Sequence, residues 1–63
     1  MRVATLEKDD TRIDVEEVSR ETCEVYVLSG DLAGTWYEPE EDNYDATLLW
    51  YKSLGYEVIR EVS

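Results

Sequence analysis

The chain has sixty-three residues, sixteen carboxylates against six basic side chains, a formal net charge of −10 and no histidine. A chain this short makes one domain, residues 1 to 63, with a thin core, and the usual supports are missing: Cys23 is the lone cysteine, so neither an internal disulfide nor a zinc set of Cys and His ligands can form. The charge disfavours direct contact with nucleic acid or acidic membranes, no apolar stretch approaches the ~20 residues that span a bilayer, and "MRVATLEKDD" lacks the apolar run of a signal peptide, so a cytoplasmic protein is expected.

Hydrophobic content of 43% with Trp36, Trp50, five tyrosines and no phenylalanine is too apolar for a disordered tail. Nearly every ring carries a polar tip, which suits a thin core that is wet on its far side. In chain order, "RVATL" (2 to 6) reads as a short strand and "KDDT" as the turn after it. "RIDVEEV" (12 to 18) sets Ile13 and Val15 on one face until Val18 breaks the alternation, as a bulge or a turn of helix does. "TCEVYVL" (22 to 28) alternates cleanly, with Cys23, Val25 and Val27 on one side and Glu24, Tyr26 and Leu28 on the other. "SGDLAG" (29 to 34) reads as a reversal and "TWYE" (35 to 38) as the strand that leaves it.

The run "EPEEDNYD" (38 to 45) places Glu38, Glu40, Glu41, Asp42 and Asp45 ahead of an apolar stretch, and it reads as a helix start. Asp42 or Asn43 can accept bonds from the free N–H groups of a first turn, and Asp45 suits the positive end of the dipole. At about 100° per residue, Tyr44, Thr47, Leu48, Tyr51 and Leu54 form one stripe over 43 to 54, while Leu49 and Trp50 fall outside it. Gly55 stops the helix. "YEVIREV" (56 to 62) then closes the fold as a strand with Tyr56, Val58 and Val62 on one side and Ile59 on the other, a two-sided pattern that predicts an inner strand or one side covered by a partner. The expected class is α+β, with an antiparallel sheet of three to five short strands packed against this one helix.

No catalytic, cofactor-binding or metal-ligating residues emerge. Without histidine a serine or cysteine nucleophile loses its commonest base, and Cys23 sits at an inward strand position where a buried, inert thiol is expected. A carboxylate pair for glycoside hydrolysis needs a cleft that so short a chain has little material to build. Calcium is the stronger rival for an acidic loop, but neither "SGDLAG" nor "EPEEDNYD" keeps the EF-hand order. No phosphate-binding glycine loop is present, so no cofactor is expected. The helix and strand around "YKSLGYEV" resemble a unit of GNAT-superfamily acetyltransferases and of glyoxalase-type proteins, in which a helix stops at glycine and a strand follows. The acetyltransferases' cofactor loop and the glyoxalases' metal ligands have no counterpart here, so the likeness implies helix-stop chemistry and no activity.

Charge placement is the remaining lead. Between Arg20 and Lys52 there is no basic residue, yet eight of the sixteen acids lie there. Acids steer an encounter and aromatic side chains anchor it, so Asp31, Trp36, Glu38, Glu40, Glu41, Asp42, Asp45, Leu49 and Trp50 are the candidate partner-binding residues. In size and charge the chain resembles small phage inhibitors that imitate nucleic-acid phosphates. The expected role is accordingly a non-catalytic module that blocks a basic surface of a nucleic-acid-handling protein, with self-association left open. The other reading is a small structural or salt-adapted protein whose acids serve solubility.

Overall fold

The computed structural model describes residues 1 to 39 and 43 to 63, and Glu40, Glu41 and Asp42 lie outside the described residues. Strands β1 (Val3–Lys8), β2 (Thr11–Glu17), β3 (Cys23–Val27) and β4 (Trp36–Tyr37) are followed by helix α1 (Tyr44–Ser53) and strand β5 (Glu57–Val62). They form an α+β fold, one antiparallel sheet in the order β4-β3-β2-β1-β5 with the helix on one face. The first four strands are a meander. α1 then carries the chain back to the far edge, where β5 pairs with β1.

Alternation dictates the core. Ala4 and Leu6 of β1, Ile13 and Val15 of β2, and Cys23, Val25 and Val27 of β3 are buried beneath Tyr44, Thr47, Leu48 and Tyr51 of α1. The β1–β2 connection is the two residues Asp9 and Asp10, with Asp9 at φ 54°, a left-handed conformation that aspartate tolerates. Val18 turns out to be neither bulge nor helix: β2 ends at Glu17, and Val18 opens the turn into β3 with its N–H on the Thr22 carbonyl at 3.1 Å.

α1 packs across the sheet, most closely over β2, and is held at its two ends by Arg2 and Lys8. Ten helical residues span about 15 Å and the six residues of β1 about 20 Å, so Arg2, just ahead of the strand, and Lys8, its last residue, reach both termini. At the start, the Arg2 guanidinium pairs with Glu17 at 3.0 Å and Asp45 at 3.2 Å and lies 4.4 Å from the Tyr44 ring centre. Asn43 caps the first turn, its side-chain oxygen accepting from the Ala46 N–H at 2.8 Å. At the other end Lys8 Nζ donates to the Leu54 carbonyl at 2.6 Å, and Gly55 at φ 100° lets the N–H groups of Gly55 and Tyr56 return to the carbonyls of Lys52 and Tyr51. The predicted helix stop at Gly55 is therefore where the helix ends.

Two further expectations need correction. Leu54 is not part of the packed stripe: it is the C-cap and is 43% exposed, because the last helical turn has already passed the end of the core. β5 is an edge strand, with β1 inside it, so its two-sided pattern has another origin. Val58 pairs with Leu6 but Arg60 with Thr5, leaving Ile59 as an extra residue in a bulge. Past that bulge the phase of the strand flips, and Val62, opposite Val3, lies on the sheet face away from the helix, whereas Val58 lies on the helix face.

Candidate partner-binding rim

The sheet face away from α1 is open, and the register orders its side chains into rows. One row runs Val62, Val3, Glu16, Glu24; the next runs Arg60, Thr5, Asp14, Tyr26, Trp36. Thr5, Asp14, Arg60, Val3 and Val62 line a shallow depression of about 210 Å³ at the β5 side. At the β4 side the acids meet aromatics. The Tyr26 hydroxyl donates to Glu24 at 2.7 Å, and its ring stands 6.4 Å from that of Trp36 at 31°. The bond to Glu24, then burial and the charges of Glu24 and Glu16, push the Tyr26 phenol up to about 12.

β4 is short, but it has aromatic side chains on both faces. Trp36 follows Tyr26 onto the open face and is 56% exposed; Tyr37 pairs with Val25 and so points to the helix side. There the hydroxyls of Tyr37 and Tyr51 are hydrogen-bonded. Trp50 stands edge-on to Tyr51 at 4.9 Å, Tyr56 meets the same ring at 5.2 Å, and burial raises the Tyr51 phenol well above its ordinary pKa. The rim is thus Trp36 and Tyr26 on one side, Tyr37, Tyr51 and Trp50 on the other. Asp31 lies in the connection leading into β4, and Glu38 follows the strand directly.

This geometry gathers some of the sequence-derived candidates and separates others. Trp36, Glu38, Asp31 and Trp50 belong to the β4 rim. Asp45 is at the far end of α1, where it shares the Arg2 guanidinium with Glu17. Leu49, 67% exposed, projects from the outer side of the helix, away from Trp36. Glu40, Glu41 and Asp42 connect Pro39 to the helix cap and lie outside the described residues. Sequence reasoning missed Glu24, Tyr26 and Tyr37. The signal for the first two was present in the alternation of "CEVYV", whose polar-side residues face the open side.

Cys23 is buried, 3.2 Å from the Thr47 hydroxyl, and no group of three or more Cys, Asp or Glu side chains among the described residues is placed to hold a metal ion. Among the described residues no helix is long and apolar enough to cross a membrane. No protein-family model matches the sequence, and no curated protein or solved structure is significantly similar to it.

Proposed function

We propose that this protein is a non-catalytic binding module whose acidic surface imitates nucleic-acid phosphates and occupies a basic surface of a nucleic-acid-handling protein, as a phage or mobile-element inhibitor would. The observation that carries the reading is the coincidence of unneutralised acids with exposed aromatics. Glu24, Asp31 and Glu38 form no ion pair among the described residues, and they flank Trp36 and Tyr37. In sequence, Glu38 is followed closely by three more acids, Glu40, Glu41 and Asp42. Long-range attraction would accelerate encounter with a cationic partner, and the two tryptophans supply contact area that charge alone lacks.

A second reading has its own observation. Glu16 stands directly opposite Glu24, and Glu57 opposite Glu7, arrangements that repel at low ionic strength and that salt screens. A salt-adapted protein with acids for solubility would carry them without penalty. The test is capture from a cell lysate by the immobilised protein and by a variant carrying Asp31→Asn, Glu38→Gln, Glu40→Gln, Glu41→Gln and Asp42→Asn, with circular dichroism confirming the fold. The binding reading expects nucleic-acid-handling proteins to be retained at low salt, released by added duplex DNA and lost from the variant. Equal capture by both proteins at every salt concentration would overturn it.

A further inference from the structure

We infer that the outer edge of β4 accepts an extended, basic segment of a partner protein as an added strand, with arginine side chains on the open face and apolar side chains on the helix side. The inference rests on the binding-module reading and names the surface and the form of its partner. Its first support is backbone geometry. The Val27 N–H donates to the Thr35 carbonyl at 2.9 Å, so Val27–Thr35 and, two positions on, Val25–Tyr37 are the hydrogen-bonded pairs of this ladder. Trp36 lies between them and turns its own N–H and C=O outward, where an added strand would meet them.

Charge and side-chain alternation identify the occupant. From Glu21 to Tyr51 the chain has no cation of its own, and among the described residues no salt bridge reaches Glu24, Asp31 or Glu38. A strand paired to Trp36 would place every second side chain over Trp36, Tyr26 and Glu24, where a guanidinium both stacks on the rings and pairs with the carboxylate. The alternate side chains would fall toward Tyr37 and Trp50 on the helix face, where apolar groups fit. A second copy of this chain is a poor occupant, because it would bring Glu24, Asp31 and Glu38 against a partner of the same sign. The opposite edge is less suited to strand addition, since the β5 bulge interrupts its ladder.

The test uses the full chain and an octapeptide of alternating arginine and valine, followed by tryptophan fluorescence and by amide shifts in NMR spectra. Binding at low ionic strength is expected, with the Trp36 amide among the most displaced. Affinity should fall about tenfold or more in Trp36→Ala and severalfold in Glu24→Gln, each checked for fold by circular dichroism. An octapeptide N-methylated at alternate amides leaves the protein untouched and should bind at least tenfold more weakly. Equal affinity for the methylated and parent peptides would overturn strand addition while leaving the acidic module standing. No binding of either peptide or of polylysine at low salt would overturn both. Self-association in ultracentrifugation that Trp36→Ala abolishes would assign the rim to a second copy and overturn the inference.

Discussion

Replacing Gly55 with alanine should destabilise the fold through backbone conformation and not through a clash. Gly55 has φ 100°, a region that costs an L-residue about 1–2 kcal/mol. A Cβ built there would meet Lys8 Cε at 3.4 Å and Cδ at 3.7 Å, which is ordinary van der Waals contact with a flexible side chain. The steric contribution is therefore close to zero, and the whole loss should be the conformational one, roughly 4–16 °C in Tm for a domain of this size. Thermal and urea unfolding followed by circular dichroism at 222 nm measures it. Lys8→Ala added to Gly55→Ala should bring no recovery, whereas Gly55→Asn should restore part of the loss, because asparagine enters the left-handed region more readily. Recovery in the double variant would show that contact with Lys8, and not φ, sets the cost, and an unchanged Tm for Gly55→Ala would refute the helix-stop geometry itself.

Leu48→Ala should cost about 2–5 kcal/mol, as truncation of a buried leucine does, and much of so small a fold would be lost; a change below about 0.5 kcal/mol in urea unfolding would place Leu48 at the surface. The Glu17 carboxyl is held below the ordinary carboxylate range by its hydrogen bond to Arg2, so its contribution is complete above that range and is lost as pH falls through the depressed value. Arg2→Met should flatten this acid limb of the stability–pH curve, and an unchanged limb in urea midpoints would exclude the pair as its source. At the alkaline end, the Tyr26 phenol, pushed up to about 12 by Glu24, stays protonated after an unfolded tyrosine ionises, so stability should fall as pH rises from about 10 to 12. Glu24→Gln should lower the Tyr26 transition in an ultraviolet titration, and no movement would argue against the bond.

Much of this fold was legible because its strands obey a period of two and its helix a period of 3.6. "CEVYV" and the stripe Tyr44, Thr47, Leu48, Tyr51 became the two halves of one core, and Cys23 went inside as its inward phase required. Position in the sheet was less accessible. The two apolar faces of "YEVIREV" resembled an inner strand, but a one-residue bulge produces the same pattern at an edge, and nothing local in Ile59 or Arg60 marks it. The candidate surface was legible in composition and not in place. Trp36 and Trp50 were found as spare aromatics, yet only the antiparallel register shows that Trp36 shares its face with Tyr26 and Glu24. Asp45 was grouped with the acidic run by proximity in sequence, while its salt bridge to Arg2, 43 residues away, is visible only in the fold.

The two explanations of the acids make opposite demands on salt, and the open face supplies both terms. Glu16 and Glu24 are cross-strand neighbours with no cation paired to either among the described residues, so the folded state carries a repulsion that falls as ions screen it. Thermal stability should therefore rise with salt, and Glu16→Gln should remove part of that rise by leaving Glu24 without a like-charged neighbour. Solubility alone gives no reason to place this repulsion beside an exposed tryptophan, since acids in the turn at Asp9 and Asp10 serve it without facing one another across a ladder. A docking surface does give one: a cationic partner relieves the repulsion on binding and gains attraction from the same carboxylates. Affinity for the arginine-valine peptide should accordingly weaken over the same salt range in which the free protein becomes more stable, and Glu16→Gln should reduce both slopes. If stability rises with salt while peptide affinity stays constant, the acids of this face act within the fold alone and the docking argument fails.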